Sequence, residues 1–325
     1  MSSQLGAPGG NPRSTEEDIE AIALRRPWRW ISAAIVLVFF AALVQSIATN
    51  ENIKYPVIAQ FLFDWRILNG VWLTIGLTIT SMIVSTLIAI VIASMRLSSN
   101  PVLSSISWVY VWLFRGTPLL VQVVLWGYLG LLYRNIIIGI PFTDIAFVTL
   151  DTNTLIPALV AGFLALTLNQ GAYSAEIVRA GMLSVDEGQQ EAAYSLGISG
   201  LATFRRILLP QAMRVIIPPM GNETISMLKN TSLLSVIAVL ELYTQATLIA
   251  SRNLYQVELL IVISVWYLTL TSILSIPQYY LERRYGRGFS RKLAHTPIQR
   301  ITVAVKRFQK PVTSHKVESA EVTGP

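Results

Sequence analysis

The sequence predicts an all-α integral membrane protein of about six spans. Three observations carry this. Of the 325 residues, 53% are hydrophobic and 13% charged, against about 25% charged in an ordinary soluble domain. Mean hydropathy is positive. Several apolar runs also approach the roughly 20 residues that a spanning helix needs.

The elements follow in order. Residues 1–27 are polar and rich in Gly, Pro, Ser and Glu, which predicts a cytoplasmic, disordered tail. Ser14-Thr15-Glu16-Glu17 fits a capping box for one short helix in it. No apolar signal core opens the chain, so no cleaved secretory signal is expected. Arg25 and Arg26 precede the first apolar run, residues 28–48, with Trp28 and Trp30 at its interface. The paired arginines predict a cytoplasmic N-terminus.

The second run spans Gly70 to Met95, followed by Arg96 and the turn LSSNP. Residues 102–114 read as an interfacial helix. Thr117 before Pro118 reads as an N-cap with proline at the first helical position, opening a span over 118–138. Residues 139–154, with Pro141, Asp144, Asp151 and Asn153, read as an external loop. Further spans are expected at 155–183, 215–242 and 254–281. The basic pairs Arg205-Arg206 and Arg283-Arg284 then fall on the cytoplasmic side with both termini, while Arg252 is the one basic residue of the last external loop.

Composition removes several function classes. The chain has no cysteine, which excludes disulfides, thiolate metal sites and cysteine nucleophiles. Its two histidines, His295 and His315, lie in the C-terminal tail, so no buried histidine-based catalytic or metal site is expected. Ten of the 25 Lys and Arg fall between Arg283 and Lys316, after the last apolar run. That distribution records membrane orientation and contact with anionic lipid rather than nucleic acid.

The most polar internal segment is EAAYSLGISGLATFRRILLPQAMR, Glu191 to Arg214. Ser184-Val185-Asp186-Glu187 fits a capping box that starts a helix running to Leu196. Gly197 is placed to end it in a left-handed cap. Some twelve residues cannot span a bilayer. The helix has a small apolar face of Ala192, Ala193 and Leu196. A second short helix is expected over 201–209, closed or kinked by Pro210. By its physics the segment is either a folded connecting loop or a docking element for another protein, since small apolar residues allow close approach.

The same residues resemble the EAA loop of permease subunits of bacterial ABC importers: Glu191-Ala192-Ala193, then Gly197. Other blocks resemble the polar amino-acid subfamily of that family. They are FRGTPLLVQ at 114–122, AYSAEIVRAG at 172–181, LPQA at 209–212, PPMGN at 218–222 and LKNTSL at 228–233. Together they cover about residues 70–283. The resemblance implies a five-helix type I importer permease core over 70–282, with one extra N-terminal helix at 28–48 and a basic cytoplasmic tail at 283–325. It implies that the loop 184–212 docks a cytoplasmic ATPase through Glu191, Ala192, Ala193 and Gly197. It further implies a second permease subunit, identical or different, and an extracytoplasmic substrate-binding protein, in the cytoplasmic membrane of a bacterium. The first helix and the basic tail depart from the five-helix pattern and receive no role from it.

No G-x-x-x-x-G-K-[ST] occurs, so the chain is expected to hold no cofactor and not to hydrolyse ATP itself; ATP and Mg would sit on the partner ATPase. Ionisable residues inside the membrane are candidate pathway residues. Asn169, Tyr173 and Glu176 share one helix face by their i, i+4, i+7 spacing, and Asn222, Ser226 and Lys229 repeat it. Glu176 and Lys229 offer opposite charges for a zwitterion's ammonium and carboxylate. The alternative is that they pair with each other or with Arg179 and only stabilise the bundle. Arg115 reads as an interfacial arginine snorkelling to headgroups. The expected function is therefore the transmembrane subunit of an importer for polar or charged amino acids or related compounds, with the cargo left open. The rival is a passive channel or ion-coupled carrier, which needs polar groups in the membrane but no docking loop.

Overall fold

The computed structural model describes residues 28–140, 143 and 145–285. The expected capping box at 14–17, loop residues Pro141 and Asp144, both histidines and the basic tail beyond Tyr285 lie outside these residues. The chain divides into two units at Ile53. The first contains helix α1, Trp28–Ala48. From Trp30 to Ala48 it is predominantly apolar and exposed throughout. Its 21 residues reach about 31 Å at 1.5 Å per residue, enough to cross the hydrocarbon core.

The second unit opens with α2, Tyr55–Leu62, and α3, Trp65–Arg96. α3 begins five residues before the apolar run because Asp64 caps it, accepting from Arg66 N at 2.9 Å and pairing with the Arg66 guanidinium at 2.9 Å. That hydrogen-bonded pairing holds the Asp64 carboxyl below the usual carboxylate range. The 97–100 turn then appears where the sequence places it. Asn100 accepts from Val102 N at 2.9 Å and caps α4, Pro101–Gly116.

α4 and α5, Leu119–Gly127, are bent by 99° at Gly116–Pro118. Here the expectations need correction. Thr117 is not the N-cap; Pro118 occupies that place, and Thr117 donates back to Leu113 O at 2.8 Å. Nor does a span run over 118–138. After a single turn, α6 (Leu129–Leu132), the chain forms the antiparallel hairpin β1 (Asn135–Gly139) and β2 (Ala146–Asp151). β-Branched Ile136–Ile138 and Val148–Thr149 favour extended backbone, so the hairpin takes the end of the expected span and part of the expected loop.

Asp151 caps the short α7, Thr152–Leu155, and α8, Ala158–Leu183, follows Pro157. α8 is the central helix. It packs on α3, and both helices bury small residues: Ala161, Ala165, Ala172 and Ala175 on α8, and Ser81, Ser85, Ala89 and Ala93 on α3. In a bilayer, helices associate by such close backbone approach. A Cβ on Gly171 would lie 2.8 Å from Tyr110 Oη and 2.9 Å from Ile88 Cγ2.

The polar centre begins with α9, Glu187–Ser195. Its cap is Asp186, accepting from Gly188 N at 2.8 Å, while Ser184 Oγ donates back to Gly181 O; the Ser184 capping box does not form. The next helical path runs without interruption from Gly200. α10 (Gly200–Thr203) passes into a π turn at Phe204–Leu208 and then α11, Leu209–Asn230. Pro210 therefore closes nothing. It sits in the first turn of α11, where the widened π geometry accommodates a residue with no N–H to give.

The expected span 215–242 is also different. α11 ends at Asn230, a 3-10 turn covers Thr231–Ile237, and the path bends by 45° past Ala238, which takes φ 59°. Glu241, fully buried, then caps α12 (Leu242–Asn253) by accepting from Thr244 N and Tyr243 N. Arg252 thus lies on a helix, not in a loop. The last helix, α13, is Gln256–Tyr285.

α1, α3 and α13 are each long and apolar enough to cross a membrane, and two bent pairs bring the number to five. The sixth expected span is α8. It has the length, 26 residues, and Asn169, Gln170, Glu176 and Arg179 interrupt its apolar run.

Candidate functional site

The bend between α4 and α5 builds a cavity. Pro118 lacks the N–H that would bond Phe114 O, four residues back. Two side chains take that carbonyl instead: Gln122 Nε2 at 2.9 Å and Asn169 Nδ2 at 2.9 Å. Gln122 Nε2 also donates to Thr117 O and Oγ1, and its Oε1 accepts from Asn169 at 3.2 Å. Irregular backbone at membrane depth is tolerated where it is satisfied this way or lines a cavity. Here it does both.

The cavity holds about 460 Å³, with Arg115, Asn169, Gln170, Tyr173, Glu223 and Asn230 as its polar lining and the 116–119 backbone along one side. The Arg115 guanidinium lies 5.1 Å from the centroid of the Tyr173 ring, a cation–π contact. Gln170 Nε2 donates to Glu223 Oε2 at 2.9 Å. Neither Arg115 nor Glu223 forms a salt bridge among the described residues. The cavity therefore shows one cation from α4 and one anion from α11, both available to a ligand.

This arrangement redistributes the expected pathway residues. Asn169 and Tyr173 line the cavity. Glu176 does not; it pairs with Arg179 at 2.9 Å, the structural alternative for that residue. Lys229 is exposed and outside the lining. Asn222 turns to α13, with Nδ2 donating to Glu282 Oε1 at 3.3 Å, and Ser226 is half-buried outside the lining. Arg115 stands over Tyr173 in the cavity rather than only at an interface. Sequence reasoning passed over Gln170 and Glu223. The signal for Glu223 was an acid in an apolar helix, which is a functional candidate by default.

The central loop forms a second site. Gly197 takes φ +72°. Ile198 N then donates to Ala193 O at 3.0 Å and Gly197 N to Tyr194 O at 2.9 Å, the bond pair of a Schellman motif. Glu191, Ala192 and Leu196 are exposed, but Ala193 is only 2% exposed. The outward apolar face is thus Ala192 and Leu196, while Ala193 holds the helix to its own chain.

Apolar helices, one broken at a proline beside a charged cavity, together with a folded polar loop, define an integral membrane transport protein. The chain belongs to the family of binding-protein-dependent transport system inner membrane components, whose model matches residues 85–287; these are the ABC importer permeases that the sequence resembles. It is 44% identical, over 90% of both chains, to an arginine transport system permease protein of Corynebacterium glutamicum. It is 40% identical to an L-cystine transport system permease protein of Bacillus subtilis, over 69% of this chain and 88% of the relative. A solved amino acid ABC transporter with histidines superposes with TM-score 0.60 at 33% identity, over 71% of this chain and 99% of that one. The comparisons give no support to a channel or ion-coupled carrier.

Proposed function

We propose that this chain is the membrane subunit of an importer for polar or charged amino acids and that its cargo passes the Arg115–Glu223 cavity. The observation that carries this is the pair of opposite, unbridged charges in one cavity. A zwitterion's carboxylate suits the Arg115 fork, and its ammonium suits Glu223. Relatives named for arginine and for cystine transport fit an amino-acid class without choosing a member.

Energy enters elsewhere. The loop 184–212 docks a cytoplasmic ATPase, which binds the ATP and Mg, through Glu191, Ala192 and the turn at Gly197. A second permease completes the pathway, an extracytoplasmic binding protein delivers the cargo, and both termini face the cytoplasm of a bacterial cell. The loop is joined to the cavity by one helical path from Gly200 to Asn230, on which Glu223 sits. Movement of the docked loop is thereby passed to a cavity wall.

The test is uptake in proteoliposomes by the complete transporter. Arg115→Gln and Glu223→Gln each lower uptake by about tenfold, the loss of one charged hydrogen bond, with ATPase assembly intact. Normal uptake by both variants refutes the cavity as the pathway.

A further inference from the structure

We propose that the Arg115–Glu223 cavity recognises the N–H groups of a primary ammonium through the side-chain oxygens of Asn169, Gln170 and Glu223, and so rejects N-alkylated zwitterions. This rests on the reading of the cavity as the cargo's path and adds the chemistry by which it selects.

The hydrogen bonds around the cavity leave its two α8 amides as acceptors. Asn169 Nδ2 donates to Phe114 O at 2.9 Å and to Gln122 Oε1 at 3.2 Å. Gln170 Nε2 donates to Glu223 Oε2 at 2.9 Å and to Ser174 Oγ at 3.3 Å. A side-chain amide nitrogen carries two N–H, so both nitrogens are fully used. Their targets also fix the orientation. A backbone carbonyl and a carboxylate only accept, so a flipped amide would set oxygen against oxygen.

The oxygens, Asn169 Oδ1 and Gln170 Oε1, accept no hydrogen bond among the described residues. Asn169 and Gln170 are only 6% and 3% exposed. Yet neither oxygen is among the described side-chain atoms that are sealed off without a partner. Both residues line the cavity, so these oxygens open into it.

Glu223 stands beside them. The oxygen and nitrogen of one amide lie roughly 2.3 Å apart, so the bond from Gln170 Nε2 puts Gln170 Oε1 within about 5 Å of Glu223 Oε2. One nitrogen can bond two acceptors at that separation. An unsubstituted ammonium offers three N–H, and the lining offers three acceptor groups, Asn169, Gln170 and Glu223. The one cation of the lining, Arg115 on α4, is left for the carboxylate. Each N–H replaced by methyl leaves a buried acceptor unmade, which is costly. A site built to bond an N–H therefore discriminates against the analogue that lacks it.

The test measures binding by ligand-detected NMR. It uses the full-length chain purified with its partner permease and ATPase in lipid nanodiscs, with no binding protein added, so that the latter's selectivity does not enter. The probes are glycine, N-methylglycine, N,N-dimethylglycine and trimethylglycine, zwitterions with three, two, one and no N–H. Affinity falls at every step, by about tenfold for the first N–H lost, one charge-assisted hydrogen bond. L-Alanine, which adds a methyl but keeps three N–H, binds as glycine does. Gln170→Leu, which removes one oxygen, weakens glycine and narrows the gap between glycine and N-methylglycine. Equal affinity along the N-methyl series overturns the inference, and so does an equal loss for L-alanine and N-methylglycine, which would mean crowding. Glu223→Gln separates that failure from failure of the cavity itself. If glycine binding falls in Glu223→Gln while the N-methyl series binds alike, the cavity holds cargo and only the N–H recognition is lost; if glycine binding is unchanged, both readings fail.

Discussion

Gln170 on α8 donates to Glu223 on α11 at 2.9 Å, and this bond fixes the only carboxylate of the cavity lining. Gln170 Nε2 also reaches Ser174 Oγ at 3.3 Å, so the amide is held from both sides. The anion is thereby positioned before any cargo arrives.

Gln170→Ala should release that carboxylate while leaving its charge in place. The expected result is a several-fold rise in KM with a smaller change in turnover, because the lost bond positions the ligand site rather than driving movement. Kinetics of reconstituted uptake distinguish this from Glu223→Gln, which removes the charge itself.

The α4–α5 bend depends on Gln122 and Asn169 taking Phe114 O. Gln122→Leu leaves that carbonyl short of one donor and Asn169 short of one of its two acceptors. A cost of about 1–3 kcal/mol is expected for such buried groups. It is read as a lower thermal midpoint in detergent, with loss of uptake when the bend shifts.

In the central loop, Gly197 has φ +72°. Gly197→Ala is expected to cost about 1–2 kcal/mol at that turn and to loosen the end of α9. ATPase copurification should fall while membrane insertion is retained. Full ATPase recovery with this variant would mean that the turn is dispensable.

Ala192 and Ala193 are neighbours with different tasks. Ala193 is buried, so Ala193→Arg disrupts the packing of the loop against its own chain and is expected to reduce yield. Ala192 is exposed, so Ala192→Arg should abolish ATPase docking with yield unchanged. Equal yields for both would contradict the burial of Ala193.

A tight contact offers a test of the fold. A Cβ on Gly70 would meet Leu242 Cα at 2.8 Å, and that atom is backbone. Gly70→Ala is therefore expected to cost about 1–3 kcal/mol through overpacking, visible as a lower unfolding midpoint.

Much of this protein is legible in the chain because apolar length and local caps are local properties. The runs at 28–48 and 254–281, the turn at 97–101 and the left-handed Gly197 follow from neighbouring residues alone. Misreadings cluster at prolines. Pro118 was expected to open a long span and instead bends the path by 99°. Pro210 was expected to close or kink a helix, and the helical path continues through it beside a π turn. A proline removes a donor in either case; whether the helix breaks depends on what else satisfies the freed carbonyl, and those groups come from distant positions such as Asn169.

The charges show the same division. The sequence by itself determined that this is a helical membrane protein with a folded polar loop at its centre, since hydrophobic length and capping chemistry act over a few residues, and its motif blocks carried the resemblance to importer permeases. Only the tertiary structure decided which charges are free. Glu176 is neutralised by Arg179 one turn away, Lys229 points outside, and Arg115 and Glu223, more than one hundred residues apart in the chain, line one cavity. Helix packing sets that pairing, through contacts between small residues whose partners no local spacing reveals.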